Sequence, residues 1–484
     1  MSVTRSVYSR TAMPEFQFVT SFMITRARLR TCLTASPISG LVDVRIDQGI
    51  ITAVDPSRGC GDGDFDADGA ELLPGLWDSH VHFCLAAVIN SCLQLPAEAS
   101  QSQICDLVRR HLSGGCLMGY GFRAATWPAP PTSSALDAVS NTIPIALISR
   151  DLHSVWCNSP ALQMVGAAGH PTGYLVEDEA FTAIRALISG DPGCVEASVA
   201  ELERQAASSG VVGIVDFSSG WAVEAWRNRA RTRPLTLKVE AATYPERLED
   251  LIELGAPTGT QLAENLRVGP LKLIADGSMG SRTAFCSLPY PQPLPGYPYG
   301  KPNHSPDELV ELLQQATAAG ITAAVHAIGD ACCHQVLDAF EATGASGSIE
   351  HAQCVSPTDI PRLARLGLTA SIQPLHQIDD AAAVGDVWPR LQHHAYPMRD
   401  LLAAGIRLTM GSDAPVAPID PLRSIAAACE HPYRASQALT WEEALQASIR
   451  SIVAVGEPAD LVVVDDTRRV LLTLMAGRVT HSEN

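Results

Sequence analysis

The first residues along this chain whose spacing suits metal binding are two histidines on one face of a predicted strand. A Pro-Gly turn at residues 74–75 is followed by an apolar run that indicates a buried strand. Because alternate side chains of a strand share a face, Asp78, His80 and His82 are expected to point the same way. Two imidazoles separated by one residue can hold one metal ion from one side. Chance and buried core histidines produce the same pattern, so its meaning depends on the later segments.

Four later segments have the same form, in which an apolar run ends at a residue that can bind a metal and a turn residue follows. They contain, in order, Lys272 with Asp276, His326, His351 and Asp413. Strands that end in polar residues and are separated by helical stretches indicate a parallel α/β architecture. In a barrel of that kind the C-terminal strand ends face one shared mouth. The pattern therefore predicts that the histidines, the lysine and the aspartate meet there.

With these motifs in this order, the sequence resembles the amidohydrolase superfamily of metal-dependent hydrolases. Within it, the chain is similar to the amidohydrolase-3 group, which includes N-substituted formamide deformylases. The likeness runs from about residue 23 to the end of the chain. It implies an α/β fold, a (β/α)8 TIM-type barrel with a small β-sandwich built from both termini.

The domain prediction follows from the same patterns. Alternating apolar runs at residues 41–46 and 459–465 are typical of paired strands in the small domain. We predict an N-terminal tail over residues 1–22 and the barrel over residues 76–454. The two parts of the β-sandwich are predicted over residues 23–75 and 455–484. An insertion over about residues 84–200 is expected to cover the barrel mouth. We assign the strand predicted at residues 143–151 to this insertion, so that eight predicted strands remain for the barrel.

The resemblance also implies two divalent metal ions. Zinc is the first expectation, although imidazole and carboxylate ligands also suit manganese, iron and cobalt. The family pattern assigns one ion to His80, His82 and Asp413, the other to His326 and His351, and a bridging position to Lys272.

Lys272 needs a separate explanation, because an ammonium group beside metal ions is electrostatically unfavourable. A desolvated lysine becomes a neutral amine, and in this superfamily such a lysine can take up carbon dioxide to form a bridging carbamate. The alternatives are an ordinary lysine paired with Asp276 or Glu177, and a bridge formed by Glu177 instead.

The implied reaction is hydrolysis of a carbon–nitrogen bond other than a peptide bond, in an N-formyl or N-acyl amide. A metal lowers the pKa of bound water and so supplies hydroxide for attack on a carbonyl. We expect Asp413 to be the catalytic residue that accepts the proton and passes it to the leaving nitrogen. The structural alternative for Asp413 is a helix N-cap before Ala414-Pro415.

Several further residues are candidates for substrate binding or for support of the ligands. Asp78 either orients a ligand histidine or caps the strand end. Arg282 either binds an anionic part of a substrate or ties down its loop. His153 and Glu177 in the insertion, and Asp276 after the lysine strand, are assigned to the same group. The remaining candidates, expected on the surface or in loops, are His376, His393 and His394.

Two rival functions remain open. The first is a deaminase or another hydrolase of cyclic amides or amidines on the same barrel. Such deaminases place a glutamate three residues after the histidine of the fifth strand, and here that position, after His326, is Gly329. The second is a metal-binding barrel without catalysis, which has little reason to retain six ligand residues.

Composition narrows the choice of partners. The net charge of -18 argues against nucleic acid and anionic membranes, and leaves a small-molecule amide as the expected partner. The chain shows no apolar core of signal-peptide length near its start. The 13 cysteines contain no Cys-x-x-Cys pair, so a reduced, cytoplasmic protein is expected, with a homodimer as one possible assembly.

Overall fold

A computed structural model describes residues 21–30, 33–34, 39–59, 61, 63–112, 115–124, 127–150, 152–189 and 192–483. Most of the predicted N-terminal tail, and Asp151 in the insertion, lie outside these residues. The chain divides into two compact units, Met1–Leu76 with Ile449–Asn484, and Trp77–Ser448. Below, strands and helices are numbered in chain order.

The first unit is one eight-stranded sheet built from both ends of the chain. Its strands are β1 Ser21–Leu29, β2 Leu41–Asp47, β3 Ile50–Pro56, β4 Phe65–Asp66, β5 Glu71–Pro74, β20 Leu461–Val464, β21 Val470–Met475 and β22 Arg478–Ser482. Their order is β22-β21-β20-β5-β1-β2-β3, with β4 beside β1. Strand β20 pairs antiparallel with β5, placing Val462 opposite Leu73. Both termini therefore contribute to the small β-domain, as predicted.

The second unit contains the barrel. Its strands are β6 Leu76–Val81, β12 Val211–Asp216, β13 Lys238–Thr243, β15 Leu266–Ile274, β16 Ala323–Ala327, β17 Gly347–His351, β18 Thr369–Ile372 and β19 Leu408–Met410. They follow one another around the sheet in chain order, and β14 (Gln261–Ala263) adds to β15. The six residues of β6 and of β12 are all buried, which is expected for parallel strands covered on both faces. The predicted barrel of eight strands is confirmed.

The last strand returns to the first and closes the barrel. Val81 and Ala414 form a parallel bridge, and the amide of Asp413 donates to the carbonyl oxygen of His80 at 2.7 Å. Gly411 makes this approach possible, because a Cβ there would lie 2.4 Å from the Cβ of His80. Closure therefore brings residues from the two ends of the barrel sequence side by side.

Helices occupy many of the connections between the strands of this unit. They are α1 Phe83–Ser91, α2 Gln101–His111, α3 Ser133–Asp137, α4 Ser159–Met164, α5 Asp178–Ser189, α6 Pro192–Ser208, α7 Ala222–Thr232, α8 Leu248–Glu253, α9 Pro306–Ala318, α10 Asp330–Thr343, α11 Ile360–Arg365, α12 Pro374–Asp380, α13 Val384–Val387, α14 Met398–Ala403, α15 Pro421–Cys429 and α16 Trp441–Gln446. In the described part of the chain, no helix is long and apolar enough to cross a membrane.

The insertion forms a second sheet between α1 and α6. Its strands are β7 Leu93–Gln94, β8 Leu117–Phe122, β9 Ile145–Ser149, β10 Ser154–Cys157 and β11 Tyr174–Val176, ordered β11-β10-β9-β8-β7. Strand β9 belongs to this sheet and not to the barrel sheet. Phe83 of α1 and Val199 of α6 share a buried cluster with Ile214 of β12, so these helices pack on the barrel. The position of the insertion over the mouth stays a prediction.

Candidate metal centre

His80 and His82 are held in defined orientations by partners at their Nδ1 atoms. His80 lies within β6, with Nδ1 2.5 Å from Oε2 of Glu350, and His82 follows the strand, with Nδ1 2.8 Å from the carbonyl oxygen of Phe217. A carbonyl oxygen accepts only, so Nδ1 of His82 is the donor, and the same assignment suits His80. Burial, with the charge of Lys272 second, holds the pKa of His80 well below its usual value. The neutral ring of His80 therefore keeps Nε2 as its acceptor nitrogen, and in His82 the engagement of Nδ1 leaves Nε2 for another partner.

These acceptor nitrogens converge on the carboxylate of Asp413. The Nε2 atoms of His80 and His82 lie 3.5 Å and 3.3 Å from Oδ1 of Asp413. Three groups that each carry a lone pair repel one another unless a cation or a proton lies between them. One ligand atom each from His80, His351 and Asp413 also lies within 4.8 Å of the others. The donor types and their convergence fit a divalent metal ion.

His351 and Asp413 have left-handed backbone conformations, which are uncommon outside glycine. Their φ angles are +71° and +56°, and the next residue, Ala352, has φ +43°. Adjacent strand residues normally point to opposite faces, yet Glu350 and His351 each contact His80, through Oε2 and through the ring respectively. Such backbone strain is typical of functional sites.

His351 has a further feature that fits metal binding. Its Nδ1 atom is buried and makes no hydrogen bond in the described part of the chain. The ring centroid lies 4.4 Å from that of His326 and 4.9 Å from that of His80. Burial, and then the charge of His326, keeps the pKa of His351 well below its usual value. A buried nitrogen without a partner is costly, and a metal ion would satisfy it.

Lys272 lies inside the barrel beside these histidines. Its side chain is 1% exposed, with Nζ 3.3 Å from Nε2 of His80 and 4.2 Å from the ring centre of Phe217. Burial lowers the pKa of Lys272 to about 8, against the opposing charges of Glu350 and Asp413. About a tenth of the side chain is therefore the neutral amine at pH 7, far more than for an ordinary lysine, and this is the form that could take up carbon dioxide.

His326 and Asp276 support each other at the ends of β16 and β15. The Nε2 atom of His326 lies 3.2 Å from the carbonyl oxygen of Gly277 and 3.3 Å from Oδ1 of Asp276. The Asp276 carboxylate also accepts the backbone amides of Phe285, Ile328 and Gly329 at 2.9–3.0 Å. Asp276 thus positions backbone and histidine, and Nδ1 of His326 is the nitrogen that could hold an ion.

Asp78 positions the backbone behind the cluster. Its Oδ1 accepts the amides of Ser412 at 3.0 Å and His80 at 3.2 Å, so it links β6 to the turn that carries Asp413. Burial raises the pKa of Asp78 to about 6, although these hydrogen bonds oppose the increase. The side chain therefore fixes the two ligand-bearing segments relative to one another.

The candidates in loops have local partners. Nδ1 of His153 lies 3.1 Å from Oε2 of Glu177, and these side chains are 38% and 66% exposed. Arg282 donates to the carbonyl and side-chain oxygens of Gln292 at 3.0 Å and 3.2 Å, which ties down its loop. The structure therefore brings Lys272, rather than Glu177, to within 3.3 Å of His80.

Sequence reasoning missed two residues. Glu350 was overlooked because its neighbour His351 matched the ligand pattern, although a carboxylate inside an apolar strand was the available signal. The expectation that His376 lies on the surface or in a loop is wrong, since it belongs to α12 and its side chain is 13% exposed. Its Nε2 atom lies 3.7 Å from Oδ2 of Asp413, whereas His393 is exposed as expected.

Comparison with known proteins agrees with this fold and site. A profile of the amidohydrolase family matches residues 65–481. The protein LONG AFTER FAR-RED 3 of Arabidopsis thaliana is 26% identical over 491 residues, covering 89% of this chain and 83% of its own length. An N-substituted formamide deformylase of Arthrobacter pascens is 25% identical over 479 residues, covering 83% of this chain and 84% of its own length.

Among solved structures, an uncharacterized metal-dependent hydrolase from Pyrococcus furiosus superposes with a TM-score of 0.79 at 25% identity. The superposition covers 92% of this chain and 99% of that protein. The family match spans most of the sequence and includes all six candidate ligands. The chain therefore belongs to the amidohydrolase family of metal-dependent hydrolases.

Proposed function

We propose that this protein hydrolyses a carbon–nitrogen bond other than a peptide bond, in an N-formyl or N-acyl amide of a small molecule. The observation that carries the proposal is the convergence of His80, His351 and Asp413 within 4.8 Å. The relative named N-substituted formamide deformylase supports a formamide or related amide as the substrate class.

We assign the proposed ligand atoms as the side-chain nitrogens and oxygens that the hydrogen bonds described above do not occupy. His80 and His82 offer Nε2 and Asp413 offers Oδ1 to one ion, while His326 and His351 offer their Nδ1 atoms to a second. Lys272, as a carbamate, would bridge the two, and zinc suits this set. When bound, such ions lower the pKa of water and polarise the carbonyl group.

Asp413 has the proposed catalytic role. Its Oδ1 faces the two histidines, which leaves Oδ2 to accept a proton from the attacking water. The same oxygen then donates that proton to the leaving nitrogen as the carbon–nitrogen bond breaks. The amine and the carboxylic acid leave as separate products.

The deaminase alternative is disfavoured by the backbone at Gly329. A Cβ at this position would lie 2.0 Å from the carbonyl oxygen of Phe285, so a glutamate cannot be placed there without moving that segment. Gly329 also donates its amide to Asp276, which fixes the turn. The glutamate typical of those deaminases is therefore not accommodated at this position.

Metal analysis tests the proposal. The measurement is metal content per chain for wild type, for Lys272→Ala and for Lys301→Ala, which removes an exposed lysine as a matched control. We expect about two ions in wild type and in the control, as in two-metal sites, and a loss in Lys272→Ala. A panel of N-formyl and N-acyl amides then identifies the substrate class.

Other outcomes separate the alternatives. One ion, unchanged in Lys272→Ala, would contradict the lysine bridge and favour Glu177 or a mononuclear centre. A chain that binds no metal after reconstitution would contradict the hydrolase mechanism and favour a binding protein. Metal-loaded protein that hydrolyses no amide in the panel would contradict the substrate class alone.

A further inference from the structure

Glu350 is a buried carboxylate to which neither the family pattern nor the proposed mechanism gives a role. It lies on β17 and is 2% exposed. Its Oε2 atom lies 2.5 Å from Nδ1 of His80, whose side chain is 1% exposed, and the hydroxyl of Ser348 donates to its Oε1 atom. Both carboxylate oxygens are therefore engaged, and one of them contacts a proposed ligand from β6.

A purely structural role does not explain this residue well. Burying a carboxylate is unfavourable, and an apolar side chain of similar volume often serves a protein core equally well or better. The partner of Glu350 is moreover the histidine at the centre of the cluster. Outer partners of this kind fix the orientation and tautomer of metal-binding histidines.

We propose that Glu350 is a positioning residue of the metal centre, which acts through His80. The proposal rests on the function proposed above. By accepting a hydrogen bond from Nδ1–H, Glu350 keeps the ring proton on Nδ1 and leaves the lone pair on Nε2. It also holds the ring where Nε2 lies 3.5 Å from Oδ1 of Asp413 and 3.3 Å from Nζ of Lys272.

Glu350 has a second effect, on the charge balance of the centre. Of the proposed ligands, only Asp413 carries an unmodified carboxylate, while four are neutral imidazoles. A carboxylate hydrogen-bonded to a ligand imidazole increases the basicity of that ligand. Glu350 therefore strengthens the bond from His80 to a cation without touching the cation.

The test is zinc affinity, measured by competition with a chelator on the full-length chain. Glu350→Gln keeps the size of the side chain but replaces its charged acceptor. We expect about 10- to 100-fold weaker zinc binding and a shifted absorption spectrum of the cobalt-substituted protein. The matched control is Glu203→Gln, which alters a carboxylate on α6 that is 1% exposed and accepts hydrogen bonds from Arg233 and Thr236. Its zinc affinity is expected to equal that of wild type.

The outcomes distinguish this inference from the proposed function. Wild-type affinity and spectrum in Glu350→Gln would overturn the positioning role while leaving the metal centre intact. A wild type that binds no zinc would overturn both. If Glu350→Gln does not fold, the tautomer of His80 is measured instead, by nitrogen NMR of wild-type protein labelled at histidine. The His80 signals are assigned from a variant in which His80 is replaced. A proton on Nδ1 of His80 supports the role, and a proton on Nε2 contradicts it.

Discussion

Gly411→Ala is expected to separate two proposed ligands by adding a single methyl group. Its Cβ would lie 2.4 Å from Cβ and 2.5 Å from the backbone nitrogen of His80. Nonbonded carbons approach to about 3.5 Å, so β6 and β19 must move apart by about 1 Å. Asp413 is two residues further along the chain. The hydrogen bond from its backbone amide to the carbonyl oxygen of His80 joins the same two segments.

The structure gives the size of the effect. Overpacking of this kind costs about 1–3 kcal/mol of native-state stability. The Nε2 atom of His80 lies 3.5 Å from Oδ1 of Asp413, and ligand distances to a metal tolerate only about 0.2 Å of change. We therefore expect Gly411→Ala to weaken zinc binding at least about 10-fold.

The assay is zinc affinity by chelator competition, with the Tm measured with and without zinc. Gly385→Ala is the control, because Gly385 lies in the helix α13 and a Cβ there would meet only the side-chain oxygen of Gln392, at 3.8 Å. We expect zinc to raise the Tm of wild type and control more than that of Gly411→Ala. If Gly411→Ala keeps both the Tm and the zinc affinity of wild type, the closure geometry is refuted.

Two further predictions concern Lys272 and His376. Because burial lowers the pKa of Lys272 to about 8, its neutral amine increases as pH rises through that value. Metal uptake in bicarbonate buffer should therefore increase from about pH 7 to about pH 9, and a flat profile would contradict carbamate formation. Since Nε2 of His376 lies 3.7 Å from Oδ2 of Asp413, His376→Asn should lower kcat about 10-fold or more at unchanged metal content. The exposed His393→Asn is the control, and equal kcat values for the two variants would exclude a role for His376.

The barrel and its ligand types could be predicted from the sequence because their signals are local. A buried strand, a turn residue and alternation of side chains are properties of a few neighbouring residues. They predicted one strand for His80 and His82, and β6 contains His80 but ends one residue before His82. They also predicted Lys272 and His326 on later strands of the same sheet, which are β15 and β16. Gly329, which is incompatible with the deaminase pattern, was likewise visible in the sequence.

The sequence by itself therefore determined the fold class and the six candidate ligands. Only the tertiary structure decided which nitrogen of each histidine is available and which side chains support them. His80 and Glu350 are 270 residues apart in the chain. His376 follows β18 and Asp413 follows β19, and their side chains approach to 3.7 Å. Because His351 has a left-handed backbone conformation, its side chain also departs from the alternation between strand faces that the sequence argument assumes. Such contacts form only when the barrel closes, because closure fixes the distances between residues that no local pattern relates.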